Sequence, residues 1–372
     1  MSSATETYQS LAAQVAARIE QEINRKTWVG WLPGERAVAE NLQVSRKTVR
    51  KALTILQRDG LIRTTQGLGH EIKTRNLIPE SSPANALVGL LTPEPIEHLR
   101  PFTTLWVDAL RSLLIEHGFR LTTFSGRRYF SQRPDKALSR LVRQNPQNCW
   151  VLAHSNERVQ KWFHDSNVPC IIAGSCHVGL DLPDVDLDYF AVCRHAVGTM
   201  LRHGHRRIGF LTTLSNRAGD LESEAGFSAG SHQSAYGSIT PYIMRHDGSV
   251  EGVNRMLTRM FSLASPPTAI LVINPSYYLT TVTFLAGRGL RVPHDVSLMS
   301  RDDETFLSYL NPMPARYSYN PRTFAKRLMQ PLMIQLRGHT PPRTRFRIEP
   351  KYLPGPSLGA PPPATGGNEN NS

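Results

Sequence analysis

Five side chains between residues 46 and 54 are spaced to make hydrogen bonds to a polyanion. Arg46, Lys47, Arg50, Lys51 and Thr54 fall on one side of a 3.6-residue period, and Val49, Ala52, Leu53 and Leu56 fall on the other. A helix divided in this way buries its apolar stripe and turns cations and hydroxyls outward. That shape enters a DNA major groove, where arginine forks onto guanine O6 and N7. A merely solvated charged face has the same pattern, so the helix acquires meaning only from the elements around it.

Those elements are legible on both sides. Leu11, Val15, Ile19 and Ile23 step by four within a first amphipathic helix from Tyr8 to Asn24. Pro33-Gly34 marks a turn, and a second helix is expected from Glu35 to about Leu42. Ser45 stands where an N-cap belongs, and Asp59-Gly60 closes the basic helix with glycine as C-cap. Leu61–Thr64 and His70–Lys73 read as two short strands around Gln66-Gly67-Leu68-Gly69. Three helices and a hairpin make a winged helix-turn-helix over residues 1–76. Plainer readings stay open: Glu35 capping the second helix with Arg36 as its partner, Lys51 as a solvated lysine, and the two glycines as an ordinary tight turn.

A polar, proline-bearing stretch at 77–86 reads as a linker. Beyond it, apolar runs recur at 87–91, 120–124, 149–153, 169–173, 207–211, 269–273 and 296–299. Helical stretches such as Leu105–His117, Asp188–His203 and Tyr277–Gly287 lie between them. Continuous apolar strands alternating with helices predict parallel sheets covered on both faces, hence an α/β body over 87–358. Its size fits two lobes. Residues 359–372, rich in Pro, Gly and Asn, read as a disordered tail.

Bulk properties narrow the function. The chain has 372 residues and a formal net charge of +13, which favours polyanionic partners. Residues 1–76 carry +5 of that and the remainder +8, so charge alone does not locate the nucleic-acid surface. Cys149, Cys170, Cys176 and Cys193 lack ligand or CxxC spacing and read as free thiols in a reducing compartment. With no signal-like segment and no apolar run near the ~18 residues that a membrane helix needs, a cytoplasmic protein without a membrane partner is expected. No Walker or HExxH motif is present, and His203-Gly204-His205 would project in different directions from a turn. The expectation is therefore no enzyme, no catalytic or metal-ligating residues and no cofactor.

The first 75 residues resemble the DNA-binding domain of GntR-type bacterial regulators. The residues that carry the likeness are Tyr8, Leu32-Pro33-Gly34-Glu35-Arg36, Val44 through Arg50, Ala52-Leu53, Leu56, Asp59-Gly60-Leu61 and Gly67-x-Gly69. The resemblance implies DNA contacts by Arg36, Arg46 and Arg50, with Gly67 and Gly69 letting the hairpin tip approach the minor groove. Ser45, Lys47, Thr48 and the helix-start amides suit phosphate oxygens, and His70 is a candidate groove contact.

Residues 87 to about 357 resemble the effector domain of LacI/GalR-type repressors, which has a periplasmic-binding-protein-like fold. The likeness rests on Asp186 through Phe210, Pro267 to Asn274, Gly289 to Leu298 and Asp302-Asp303. It implies a small molecule, foremost a sugar, bound in a cleft beyond the carboxyl ends of the strands. Strand ends nominate Thr92, Phe102, Ser125, His154 and Gly174 from the first lobe, and Thr212, Arg217, Asn274 and Asp302 from the second; Asn274 and Asp302 match positions that bind ligand in the family. Two departures stand out. Leu221 occupies the place of a common family arginine, and Pro275 replaces an acidic residue. The expected protein is a ligand-responsive transcriptional regulator, a repressor in the first instance, acting as a homodimer on double-stranded operator DNA. The alternative is an effector-independent DNA binder whose lobes serve dimerisation or a protein partner.

Overall fold

The computed structural model describes residues 11–24, 27–28, 30–65, 69–73, 86–232, 239–341 and 345–363. The head contains α1 (Leu11–Asn24), α2 (Glu35–Asn41), α3 (Arg46–Arg58), β1 (Ile62–Thr65) and β2 (Gly69–Ile72). Val15, Ile19, Val38, Val49, Leu53, Leu56, Ile62 and Ile72 share one apolar core, so the periodic stripes of all three helices and the inward side of the hairpin meet. Ser45 caps α3 by accepting the Thr48 amide at 3.1 Å. β1 and β2 pair antiparallel, and Trp31 adds a bridge opposite Glu71. Tyr8, Gly67 and the linker residues 77–85 lie outside the described residues.

The body starts with β3 (Leu87–Thr92), α4 (Pro101–Glu116), β4 (Arg120–Ser125), α5 (Asp135–Gln144), β5 (Cys149–Ala153), α6 (Glu157–Asp165), β6 (Cys170–Ala173) and β7 (Asp184–Leu187). The chain then enters a second lobe. This holds α7 (Tyr189–Arg202), β8 (Arg207–Thr213), α8 (Ala218–His232), β9 (Thr240–His246), α9 (Val250–Phe261), β10 (Ala269–Val272), α10 (Pro275–Gly287), β11 (Ser297–Ser300) and β12 (Ala315–Ser318). Finally α11 (Pro321–Leu336) and β13 (Arg345–Ile348) return to the first lobe, and β14 (Lys351–Leu353) to the second. The chain thus crosses between lobes three times.

Each lobe carries a six-stranded sheet, ordered β13-β7-β6-β5-β3-β4 in the first and β14-β12-β11-β10-β8-β9 in the second. All neighbours run parallel except β14 against β12. Helices cover both faces of each sheet, which is why the strands read as unbroken apolar runs. In the first lobe α11 packs on α4, with Phe324, Leu328 and Leu332 among Trp106, Leu110 and Leu114. In the second, α8 lies so close to α7 that a methyl group at Gly226 would overlap the Phe190 carbonyl.

The head rests on the far end of α11. Trp31 packs against the first-lobe core, Arg337 ion-pairs with Glu71, and a Cβ at Gly30 would sit 2.9 Å from Ile334 Cγ1. The expected tail begins too early at 359, because Gly359 accepts a hydrogen bond from His205 Nε2 and donates its amide to Ser297. Residues 364–372 lie outside the described residues. Among the described residues no helix is long and apolar enough to cross a membrane.

Candidate functional site

On the head, α2 and α3 present the DNA-candidate side chains together. Arg46 and Arg50 do not stand free: both lean on Glu35, at 3.8 and 2.7 Å. Arg36 pairs with Glu40 rather than with Glu35. These pairs set aside the plainer reading in which Arg36 is the partner of Glu35. The guanidiniums nevertheless stay open, with side-chain exposures of 61% for Arg46 and 64% for Arg50. Ion pairs this exposed contribute about 0–1 kcal/mol, so Glu35 orients the arginines without sequestering them. Ser45 and Thr48 hydroxyls lie 2.8 Å apart at the start of α3, beside exposed Lys47. His70 is half-buried and hydrogen-bonds Thr64 across the hairpin at 3.0 Å, and burial lowers its pKa, so its ring is tied into the wing. Gly69, with φ +111°, takes a conformation that suits glycine beside the hairpin tip.

The body holds a cavity of about 150 Å³ between the lobes. From the first lobe come Arg100, Phe102, Thr103 and Trp106 of the α4 entrance, His154 and Ser155 after β5, Gly174 and Ser175 after β6, and Asp186 in β7. The second lobe supplies Thr213, Arg217, Asp220, Asn274, Tyr277 and Arg301. Tyr189 and Phe324 complete the wall from two of the three crossings.

Of the cleft residues expected from sequence, Phe102, His154, Gly174, Arg217 and Asn274 line this cavity. Thr92 and Ser125 do not. Thr92 is fully buried and spends its hydroxyl on the Glu94 carbonyl at 2.7 Å, and Ser125 ends the exposed edge strand β4. Thr212 is buried one residue short of Thr213, which takes the wall position. Asp302 lies behind the wall, fully buried, with its carboxylate occupied by the chain itself. Arg301 donates to both of its oxygens at 3.1 Å, Arg100 donates from Nη1 at 2.5 Å, and the Tyr319 hydroxyl adds a bond at 3.3 Å. A ligand therefore meets Arg301 and Arg100 rather than Asp302.

Asn274 has two roles, since its Oδ1 caps α10 through the Ser276 amide while its amide nitrogen can donate to a ligand. Arg217 is braced by Asp220 at 2.9 Å. His154, in a left-handed backbone conformation with φ +52°, hydrogen-bonds Thr103 through Nε2 at 3.1 Å. Burial, aided by nearby Arg217 and Arg100, pushes its pKa down to about 3, so it is a neutral ring.

Two ionic bridges hold the lobes together. Arg100 of the first lobe reaches Asp302 and Glu304 of the second. Glu222 on α8 reaches back to Arg347 of β13 at 3.0 Å, and Arg347 also holds Asp184. Burial would raise the Asp302 carboxyl, but Arg301 and Arg100 outweigh it and hold the pKa below the usual carboxylate value. The wall is thus charge-balanced without a ligand, and its remaining surface is aromatic and neutral-polar. Arg100, Arg301, Asp186 and Tyr189 were not singled out from sequence. Arg301 carried a signal, because it immediately precedes Asp302 at a strand end. Among the described residues there is no cluster of metal-ligand type. His205 instead packs between Thr268 and Gly359, and burial drives its pKa down to about 4.

Residues 11–72 match the family of bacterial regulatory proteins named gntR, and residues 197–358 match the periplasmic binding protein-like domain. The chain joins a gntR-family head to a periplasmic-binding-protein-like body. It is a DNA-binding transcriptional regulator, and the similar proteins that follow are regulators. The regulator is 24% identical over 291 residues to the arabinose metabolism transcriptional repressor of Geobacillus stearothermophilus, covering 74% of this chain and 76% of that protein. With the repressor CytR of Escherichia coli it shares 24% identity over 171 residues, 46% of this chain and 50% of CytR. In fold it is similar to a LacI-family regulatory protein from Chloroflexus aggregans, with TM-score 0.64 and 20% identity over 73% of this chain and 98% of that one. It is also similar to a CelR–cellobiose complex, with TM-score 0.63 and 19% identity over 94% and 99% of the two chains.

Proposed function

We propose that the protein is a cytoplasmic, ligand-responsive repressor that binds a palindromic operator as a homodimer and senses a small molecule between its lobes. The observation that carries this reading is a cavity shared by two lobes that are bridged ionically, beneath a head with exposed arginines on α3. Arg46 and Arg50 read base edges, with Arg36 beside them. Ser45, Lys47 and Thr48 take phosphate oxygens, while Gly69 and His70 belong to the wing. Two-fold symmetry would place two α3 helices in successive major grooves, about one helical turn apart.

Charge balance within the cavity disfavours a strongly ionic effector. Phe102, Trp106 and Tyr277 offer flat apolar faces, and the Asn274 amide, Thr213 and Ser155 offer neutral hydrogen bonds. An uncharged polyhydroxylated molecule suits that wall, and the cellobiose bound by the similar CelR supports a sugar. Effector contacts are assigned to Phe102, His154, Arg217 and Asn274; Thr92, Ser125 and Asp302 are set aside as direct contacts. Ligand binding would shift the balance between open and closed lobes and so the placement of the heads, with a typical coupling of about 1–3 kcal/mol.

A thermal-shift panel of neutral sugars and nucleosides on the full chain tests this reading. A ligand at 100 times its Kd adds about 2.7 kcal/mol of stability, a shift easily resolved. No shift with any compound, together with intact DNA binding, would favour the effector-independent reading. The self-satisfied Arg301–Asp302–Arg100 network is the observation on that side.

A further inference from the structure

Ser175 follows β6 in the first lobe, and its Oγ lies 2.8 Å from Asp186 Oδ2 and also 2.8 Å from Glu222 Oε2. Asp186 belongs to the first lobe and Glu222 to the second. A hydroxyl has one proton and can donate it to one of these oxygens only. The other short oxygen–oxygen contact needs a proton of its own, or it is a repulsion between a lone pair and a buried anion. Two ionised carboxylates on one serine hydroxyl are therefore inconsistent with this geometry.

The surroundings decide which carboxyl carries the proton. Glu222 is partly exposed and bonded through its other oxygen to the Arg347 guanidinium. Asp186 is buried, and among the described residues its other oxygen accepts the Leu187 amide alone, at 2.8 Å. We propose that Asp186, Ser175 and Glu222 form a proton-held catch between the lobes: a neutral Asp186 carboxyl donates to Ser175 Oγ, and Ser175 donates onward to Glu222. Closing the sensor then takes up one proton from solvent, and opening releases it.

Charged and titratable groups facing Asp186 are Glu222 from α8, Arg347 from β13 and Tyr189 from α7. Burial dominates and pushes the Asp186 pKa up to about 7, with Glu222 adding to the rise and Ser175, the Leu187 amide and Arg347 opposing it. A pKa raised in the closed form stabilises that form at low pH, and the advantage fades as pH rises to about 7. The catch lies on the cavity wall, because Asp186 and Ser175 both line it. Effector affinity is then linked to the same proton.

The inference rests on lobe motion as proposed above, and its test separates the two. Spin labels at Ser139→Cys on α5 and Glu251→Cys on α9 report the lobe separation of the full chain, and all four native cysteines are buried. Distance distributions are recorded from about pH 5.5 to about pH 8.5. The wild-type closed-to-open ratio is expected to fall roughly threefold or more over that range. Asp186→Asn, whose amide donates as the neutral acid does, should stay closed at every pH, and Ser175→Ala should be more open and unresponsive. An Asp186→Asn chain that responds to pH as the wild type does overturns the catch. Arg100→Ala removes the other bridge and serves as a control for motion. If it opens the lobes while wild type ignores pH, the catch is wrong and lobe motion survives. If no variant or pH moves the labels, both readings fall.

Discussion

Asp302 shows how far a side chain's role depends on what surrounds it. At a strand end its carboxylate is suited to sugar hydroxyls, yet in the fold it pairs with two arginines and contacts no solvent. Removing one member of such a buried set typically costs about 3–5 kcal/mol, because the partner charges are stranded. Asp302→Ala is therefore expected to lower the urea midpoint by that equivalent; a midpoint within about 1 kcal/mol of wild type would show that the network does not stabilise the fold. Its partner Arg100 was illegible in the sequence, since the two lie 202 residues apart and only tertiary structure brings them together. Arg46 is the opposite case, because neighbours within one helix turn define its position. Arg46→Ala should weaken operator binding by about 1–3 kcal/mol and relax base preference in a gel shift. Unchanged binding would remove Arg46 from the readout set.

Elements differ in how plainly they can be read. α3 was legible because its stripe, N-cap and closing glycine lie within sixteen consecutive residues. Ser45→Ala should cost that helix about 1 kcal/mol and lower the head's melting temperature, while base preference stays as in wild type. β7 (DVDL) and β9 (TPYIMRH) were missed, as were β12, β13 and β14, because acids, a proline or scattered polar residues interrupt their apolar pattern. They are strands because a sheet neighbour supplies the ladder, and no local propensity announces that. α8 shows a related limit. Gly226 allows its close approach to α7, which no pattern within the helix announces. Gly226→Ala should destabilise the second lobe by about 1–3 kcal/mol in a thermal melt, whereas substitution at exposed Gly287 should have little effect.

At the scale of the molecule, the head and two lobes follow from charge placement and hydrophobic period, but the bridges between them do not. Arg100–Asp302 and Arg347–Glu222 join residues from distant parts of the chain. The same holds for the docking of Glu71 on Arg337. DNA affinity should fall steeply with salt, by a slope of roughly 0.9 per neutralised phosphate in a log–log plot, and a flat plot would exclude groove docking by the basic helix.

α11 touches the cavity with Phe324 and the head with Ile334 and Arg337. Its 16 residues make a rod about 24 Å long. Pivoting such a rod by about 10° at one end carries the other sideways by roughly 4 Å, more than a base-pair step. The wing sits at the far end, so a pivot of α11 about its cavity end would turn a short stroke at the ring of Phe324 into a longer one at the DNA.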